Sequence, residues 1–314
     1  MVIKGAADTQ TYELKRKTVR RLSCNIRLKN TVGVPAWDLR KVTLKATLTR
    51  NSSDIVIFHE NLFLLLRESM FFHCSEFMYD YTFAMNMATN WYLIPGMIDL
   101  GAPINLKGED TLKLEATSLS GWEGPNSSSA ECSIEFEWRE DVGVEHATPL
   151  IRSQAIQATT DKTTLSLGDN ITSVALINLN VGTFPSAYSL TDANAVWNSF
   201  ILNSDKINYN DNLDRMISRR ISQFEFSIAA YYRVHSFMYK MPEKEIDQVQ
   251  LVVGTNGANV VATQNYVVWR TFHLDSYTMQ RGSAMVDKHE MRDHKKFSKH
   301  LAGSENTAKA VSAA

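Results

Sequence analysis

Hydrophobic and polar residues alternate along most of this chain with a period of two. Leu22, Cys24, Ile26 and Leu28 are interleaved with Ser23, Asn25 and Arg27, which puts one set on each face of a half-buried strand. Residues 42–48 (VTLKATL) continue the pattern, a turn follows at Asn51-Ser-Ser-Asp, and residues 55–58 (IVIF) are a largely β-branched run. Further strands are predicted over 112–116, 132–138, 173–179, 224–228, 249–253 and 266–269. Short strands recurring this often, with Gly, Asn, Asp and Ser between them, define an all-β sandwich or barrel. Helical spacing is confined to three stretches: residues 60–78, where Leu62, Leu65, Leu66, Ser69 and Phe72 share a face; 192–200; and 211–221, with Leu213, Met216, Ile217 and Ile221. Residues 118–130 have the composition of a long exposed loop.

The chain echoes itself. Asp110-Thr-Leu112-Lys-Leu114 returns as Asp247-Gln-Val249-Gln-Leu251, and Phe136-Glu-Trp138-Arg139 returns as Val267-Val-Trp269-Arg270. The order is kept, while the interval from Asp110 to Trp138, 28 residues, becomes 22 from Asp247 to Trp269, as a shortened connecting loop would make it. Cys24-Asn-Ile26-Arg-Leu28 and Ala175-Leu-Ile177-Asn-Leu179 pair more weakly. A duplication of this kind decides architecture. It predicts one barrel over residues 1–143, a second over 144–275, and a tail over 276–314 with almost nothing to bury at its end.

Composition adds exclusions. Apolar residues are 44% and charged residues 21%, an ordinary globular balance. The net charge is −1, from 33 Lys+Arg against 34 Asp+Glu, so any contact with nucleic acid or anionic lipid is local. Three scattered cysteines, Cys24, Cys74 and Cys132, make neither a disulfide framework nor a zinc site. They read as small buried hydrophobes kept reduced in a cytoplasm. The start carries no stretch apolar enough for a secretory signal, and the longest apolar run, Leu62 to Leu66, falls far short of a membrane span. The triplets at Asn51, Asn126 and Asn170 therefore read as turns rather than glycan acceptors.

Catalytic motifs are missing. His289 and His294 stand five apart, which splays them by roughly 140° on a helix where a zinc motif needs four. There is no His-x-His pair, no nucleophile elbow and no glycine-rich phosphate loop. Glu135 and Glu137 share one strand face, as a pair of glycosidase carboxylates would, but an alternating strand gives them a solvated outer face. The expectation is a protein that is not an enzyme, with no cofactor, no metal and no small-molecule substrate. Positive charge is local: Lys15, Arg16, Lys17, Arg20 and Arg21 near the start, and Arg292, Lys295, Lys296 and Lys299 in the tail. Both clusters suit anionic lipid or packaged nucleic acid, without sequence recognition. A solvated strand edge explains the first equally well.

With its Asp-x-Leu/Val-x-Leu signals at 110–114 and 247–251, its Trp-Arg signals at 138–139 and 269–270, and long loops before Asp110 and around Trp122, the chain resembles the double jelly-roll major capsid proteins of tailless icosahedral phages with an internal membrane, the corticovirus and tectivirus–adenovirus lineage. The resemblance covers about residues 10–275 and is architectural. It implies two tandem jelly-roll β-barrels with a few short helices in loops, and a C-terminal tail on the inner face or a neighbouring subunit. It also implies a pseudo-hexagonal homotrimer that tiles an icosahedral shell in the virion, after synthesis in the host cytoplasm. Neighbouring trimers, minor capsid and vertex proteins, and an internal membrane touched peripherally would be the partners. Trp91, Tyr92, Trp122, Phe184, Tyr188 and Trp197 are candidates for the contacts between subunits, with core packing as the alternative for each. A glycan- or receptor-binding β-sandwich is the competing reading, since jelly rolls serve both uses; a double-barrel hydrolase or metal-dependent isomerase is a third.

Overall fold

The computed structural model describes residues 1–29, 37–73, 85–88, 91–143, 145, 147–157, 162–178, 197–204, 208–210, 237–245, 248–255 and 265–273. Its strands are β1 Val2–Lys4, β2 Asp8–Lys15, β3 Thr18–Lys29, β4 Val42–Arg50, β5 Ser53–Asn61, β6 Met85–Ala88, β7 Trp91–Asn105, β8 Thr111–Ser118 and β9 Ser133–Glu140, followed by β10 Thr148–Ala155, β11 Thr163–Gly168, β12 Ile171–Asn178, β13 Trp197–Asn203, β14 Asn208–Asn210, β15 Phe237–Glu245, β16 Val249–Thr255 and β17 Asn265–His273. Among the described residues one α-helix, α1 Leu62–His73, follows β5. Met1–Glu145 and Pro149–Phe272 make one compact unit; His146–Thr148 and His273–Ala314 make a second, most of it outside the described residues.

Four antiparallel sheets form, ordered β1-β9-β3-β7-β6, β2-β8-β4-β5, β10-β17-β12-β15 and β11-β16-β13-β14. Leaving aside β6, the first pair takes its strands in the order 1-8-3-6 and 2-7-4-5, and the second pair repeats that order strand for strand. Two facing sheets interleaved in this way are a jelly roll, so the chain is a double jelly roll. The turns obey local chemistry. Asn51 and Ser52 take φ of 51° and 61° in the two-residue hairpin between β4 and β5, the left-handed pair that a tight hairpin requires. Asn170, with φ of 54°, turns the chain from β11 into β12.

The repeat is explicit in the register. Trp138 of β9 lies opposite Leu22 of β3, and Trp269 of β17 lies opposite Val174 of β12. Leu112 and Leu114 of β8 are buried in the first core, and Val249 and Leu251 of β16 in the second. Leu22 therefore corresponds to Val174 and Cys24 to Leu176, one residue away from the pairing of Cys24 with Ala175 that the sequence suggests. A slip of one residue exchanges the faces of a strand. Ala175 and Ile177 belong to the outer face, and they look apolar enough to be core because that face is covered as well.

The cover is α1. Leu62, Phe63, Leu64, Leu65, Leu66, Arg67, Glu68, Ser69 and Phe71 are all buried, the mark of a helix enclosed on every side. It packs on β4, β5 and β7 of the first barrel and on β12 and β15 of the second. The first hydrophobic cluster accordingly runs on into Leu150, Ile151, Ala175, Ile177, Met238 and Val268. Two sequence expectations change. Residues 197–200 are strand, because Phe200 and Leu202 alternate inward beside Val253 and Leu251 of the central strand β16. The stretch 118–130 is not uniformly exposed, since Trp122 within it is fully buried. The helix expected over 211–221, the strand over 224–228 and residues 192–196 lie outside the described residues.

Candidate assembly surfaces

The polar groups in the middle of α1 are held by specific partners. Arg270 of β17 donates from Nε to Oε1 of Glu68 at 2.6 Å and from Nη2 to Oε2 at 2.5 Å. Both side chains are at most 4% exposed, and a charge buried this deeply requires such a partner. The guanidinium also lies 3.7 Å from the centroid of the Phe72 ring. Beside it Gly101 has φ of 85°, and a Cβ there would stand 3.1 Å from Nη1 of Arg270 and 3.3 Å from the Phe72 ring. Asp99, fully buried, accepts from Arg20 Nε at 3.0 Å and Arg21 Nε at 2.8 Å, and its own N–H donates to Ser69 Oγ at 3.2 Å. Arg152 of β10 donates to the carbonyls of Val56 and Ile57 on β5 at 2.8 and 3.3 Å, and burial lowers its guanidinium below the usual range. Sequence alone singled out Arg270 only as half of a Trp-Arg echo, and carried no sign of Glu68 as its partner.

Three of the five cations in the basic run near the start are paired with acids. Lys17 pairs with Glu140, while Arg20 and Arg21 close on Asp99. Lys15 and Arg16 are left at the tip of the turn from β2 to β3, exposed. At the same end of the barrel Arg50 binds Asp110 at 3.0 Å and Glu145 at 2.8 Å. Burial depresses this guanidinium, and the two carboxylates outweigh it, so that it lies above its ordinary value. The strands of the first barrel are thereby tied to the start of the crossing into the second. Arg292, Lys295, Lys296 and Lys299 lie outside the described residues, as do His289 and His294.

Of the aromatic candidates, Trp91 and Tyr92 are half-buried, and the Lys29 ammonium sits 5.0 Å from the Trp91 ring centroid. Trp122 and Trp197 are 0% and 2% exposed. Such burial favours core packing, the alternative to an interface role for these two, because a fully buried ring has no area to offer a partner. The Trp122 indole donates to the Lys4 carbonyl at 3.3 Å, inside the first barrel. Phe184 and Tyr188 lie outside the described residues.

Glu135 and Glu137 are exposed on the outer face of β9, where Glu137 pairs with Arg139 at 3.2 Å. A cavity of about 380 Å³ opens at the barrel edge between β2 and β9, lined by Tyr12, Leu14, Lys17, Trp138 and Glu140 among others. Of its two acids, Glu140 is engaged by Lys17 and Glu137 by Arg139. Among the described residues no cluster of three His, Cys, Asp or Glu suits a metal ion, and no helix is long and apolar enough to cross a membrane. Cys24 and Cys132 are buried, and burial pushes both thiols up, Cys24 far up. Since the thiolate is the reactive form, neither is expected to react with a thiol reagent at pH 8 until the protein unfolds. Mass mapping of the labelled peptides checks this, and labelling of either site in the folded protein contradicts it.

No family model matches the chain, and no curated protein matches it. Among solved structures it is similar to that of the STIV major capsid protein, at 11% identity over 88% of this chain and 94% of that one, with a TM-score of 0.55. It is likewise similar to a chain in the atomic structure of Sulfolobus turreted icosahedral virus, at 9% identity over 92% and 98% of the two chains, with a TM-score of 0.54. At such identities the likeness concerns the fold, and it spans both barrels in order.

Proposed function

We propose that this chain is the major capsid subunit of a tailless icosahedral virus, and that it assembles as a pseudo-hexagonal homotrimer. The observation that carries the reading is the repetition of one jelly roll within one chain, with both copies packed on the same buried helix. Two like lobes per chain, taken three times, give six lobes around a threefold axis, and a nearly hexagonal block tiles a shell. Of the similar solved structures, one is a viral major capsid protein and the other a chain of an icosahedral virus, which supports the same role here. On this reading the chain divides near residue 143, and the tail over 276–314 packs on the inner face or on a neighbouring subunit. Lys15 and Arg16, with Arg292, Lys295, Lys296 and Lys299, meet lipid or nucleic acid there. Minor capsid and vertex proteins complete the shell.

Native mass measurement joined to electron microscopy tests the proposal. The expected result is a species of three times the chain mass and closed particles built from it. A protein that stays monomeric under every assembly condition overturns it. The edge cavity, with Tyr12 and Trp138 beside Glu137 and Arg139, is the feature a glycan-binding module would use. A rise in Tm with added saccharide would favour that second reading.

A further inference from the structure

The two barrels close one edge differently. In the second barrel the outermost strand β10 sets eight residues, Thr148–Ala155, beside the nine of β17. Its counterpart β1 has three, Val2–Lys4, and they pair with Ser133–Glu135 of β9 alone. Met1 adds one more step, exchanging main-chain hydrogen bonds of 2.7 and 2.9 Å with Phe136. In an antiparallel ladder the bonding groups on one side recur at every second residue. The N–H and C=O of Trp138 and Glu140 therefore point to the side that Phe136 uses, where no strand among the described residues pairs with them.

The cavity of about 380 Å³ lies along this open stretch. All five residues from Phe136 to Glu140 line it, although side chains alternate between the two faces of a strand. A cavity lined by inward and outward residues alike runs along the strand's edge. Tyr12 and Leu14 of β2, the end strand of the facing sheet, stand on its other side. Trp138 is 7% exposed, and its buried indole N–H has no acceptor, a lack that buried donors seldom show.

We propose that this edge takes an extended strand from another protein, added antiparallel to β9 in line with β1. Main-chain groups repeating every second residue are matched by another main chain, and a saccharide has no such repeat. Residues paired across two strands share a face. The added residue opposite Trp138 turns inward, as Ile3 does opposite Ile134, and is apolar. Those opposite Arg139 and Glu137 turn outward beside exposed charges, so an acid suits the first and a base the second. The Glu137–Arg139 pair they would replace is exposed and holds weakly. Since the strand runs antiparallel to β9, its order from the N-terminal side is acidic, β-branched apolar, basic. This recognition does not depend on the capsid reading.

Capped hexapeptides with Glu-Val-Lys at the centre, titrated into the full-length protein by calorimetry, test it. The plain peptide should bind. N-methylation of its valine, whose N–H faces β9, should abolish binding, whereas N-methylation of its lysine, whose N–H faces away, should leave binding nearly unchanged. Glu137→Lys with Arg139→Glu should weaken the peptide about tenfold and transfer the preference to Lys-Val-Glu. No binding at millimolar peptide, or equal effects of the two N-methyl groups, overturns the strand addition. A double variant that still prefers Glu-Val-Lys overturns the register. None of these results alters the trimer and particle measurements on which the capsid reading stands.

Discussion

Arg270→Ala should lower the free energy of unfolding by about 3–5 kcal/mol, because it strands the Glu68 carboxylate in the interior with no cation. The two groups are joined by two hydrogen bonds, and both are almost wholly inaccessible to water. They are 202 residues apart in sequence, so the pair joins the closing strand of the second barrel to the helix of the first. The substitution also removes the guanidinium from the face of Phe72, a smaller loss of about 0.5–2 kcal/mol. A double replacement, Glu68→Leu with Arg270→Met, should cost much less than Arg270→Ala, since apolar groups of similar volume need no partner. Urea unfolding of the two variants and the wild type checks both expectations. A loss below about 1 kcal/mol for Arg270→Ala, the scale of exposed ion pairs, would mean that this pair does not hold the barrels together.

Trp122→Ala should cost about 3–5 kcal/mol, the usual loss for emptying the site of a large aromatic. The residue lies in the connection between β8 and β9, in a run of Gly, Pro, Asn and Ser that looks solvated. Its ring nevertheless has 0% exposure and is among the largest fully buried side chains in the protein. The backbone there is fixed too: the Asp38 N–H donates to the Trp122 carbonyl at 2.7 Å. Trp122→Phe should cost less, about 1–3 kcal/mol, as it keeps most of the apolar volume and leaves the Lys4 carbonyl without its indole donor. The midpoint of chemical denaturation measures both. Near-neutral behaviour of Trp122→Ala would restore this loop to the exposed surface that its composition suggests.

Much of the strand pattern could be read from the residues, and the reason is local. Side chains alternate across a strand whatever the strand is paired with, so Leu22, Cys24, Ile26 and Leu28 declare a face without knowing their neighbours. The echo between Leu112-Lys-Leu114 and Val249-Gln-Leu251 survives for the same reason, since those pairs do the same inward work in each barrel. Residues 197–200 suited a helix because Trp197 and Phe200 stand three apart, a spacing that one helix face also accepts. The choice went to strand once β16 stood beside it, with β14 pairing residues 201–203 that continue it. Trp122 misled because its burial comes from what the loop folds over. Of the basic run, residue type announced the charge, and only Asp99 and Glu140, distant in sequence, decided which charges stay open.

The chain's own order of residues determined an all-β duplicated architecture, a helix after the fifth strand, and the absence of any familiar catalytic motif. Tertiary structure decided which faces meet water. Trp138-Arg139 and Trp269-Arg270 are the same two letters at the same register, and the tryptophans do the same work. The arginines do not: one is solvated beside Glu137, and the other is buried against Glu68. Backbone geometry sends the second residue of each pair outward, and that much is local. What waits on the outside is contributed by residues far along the chain, and no periodicity records it.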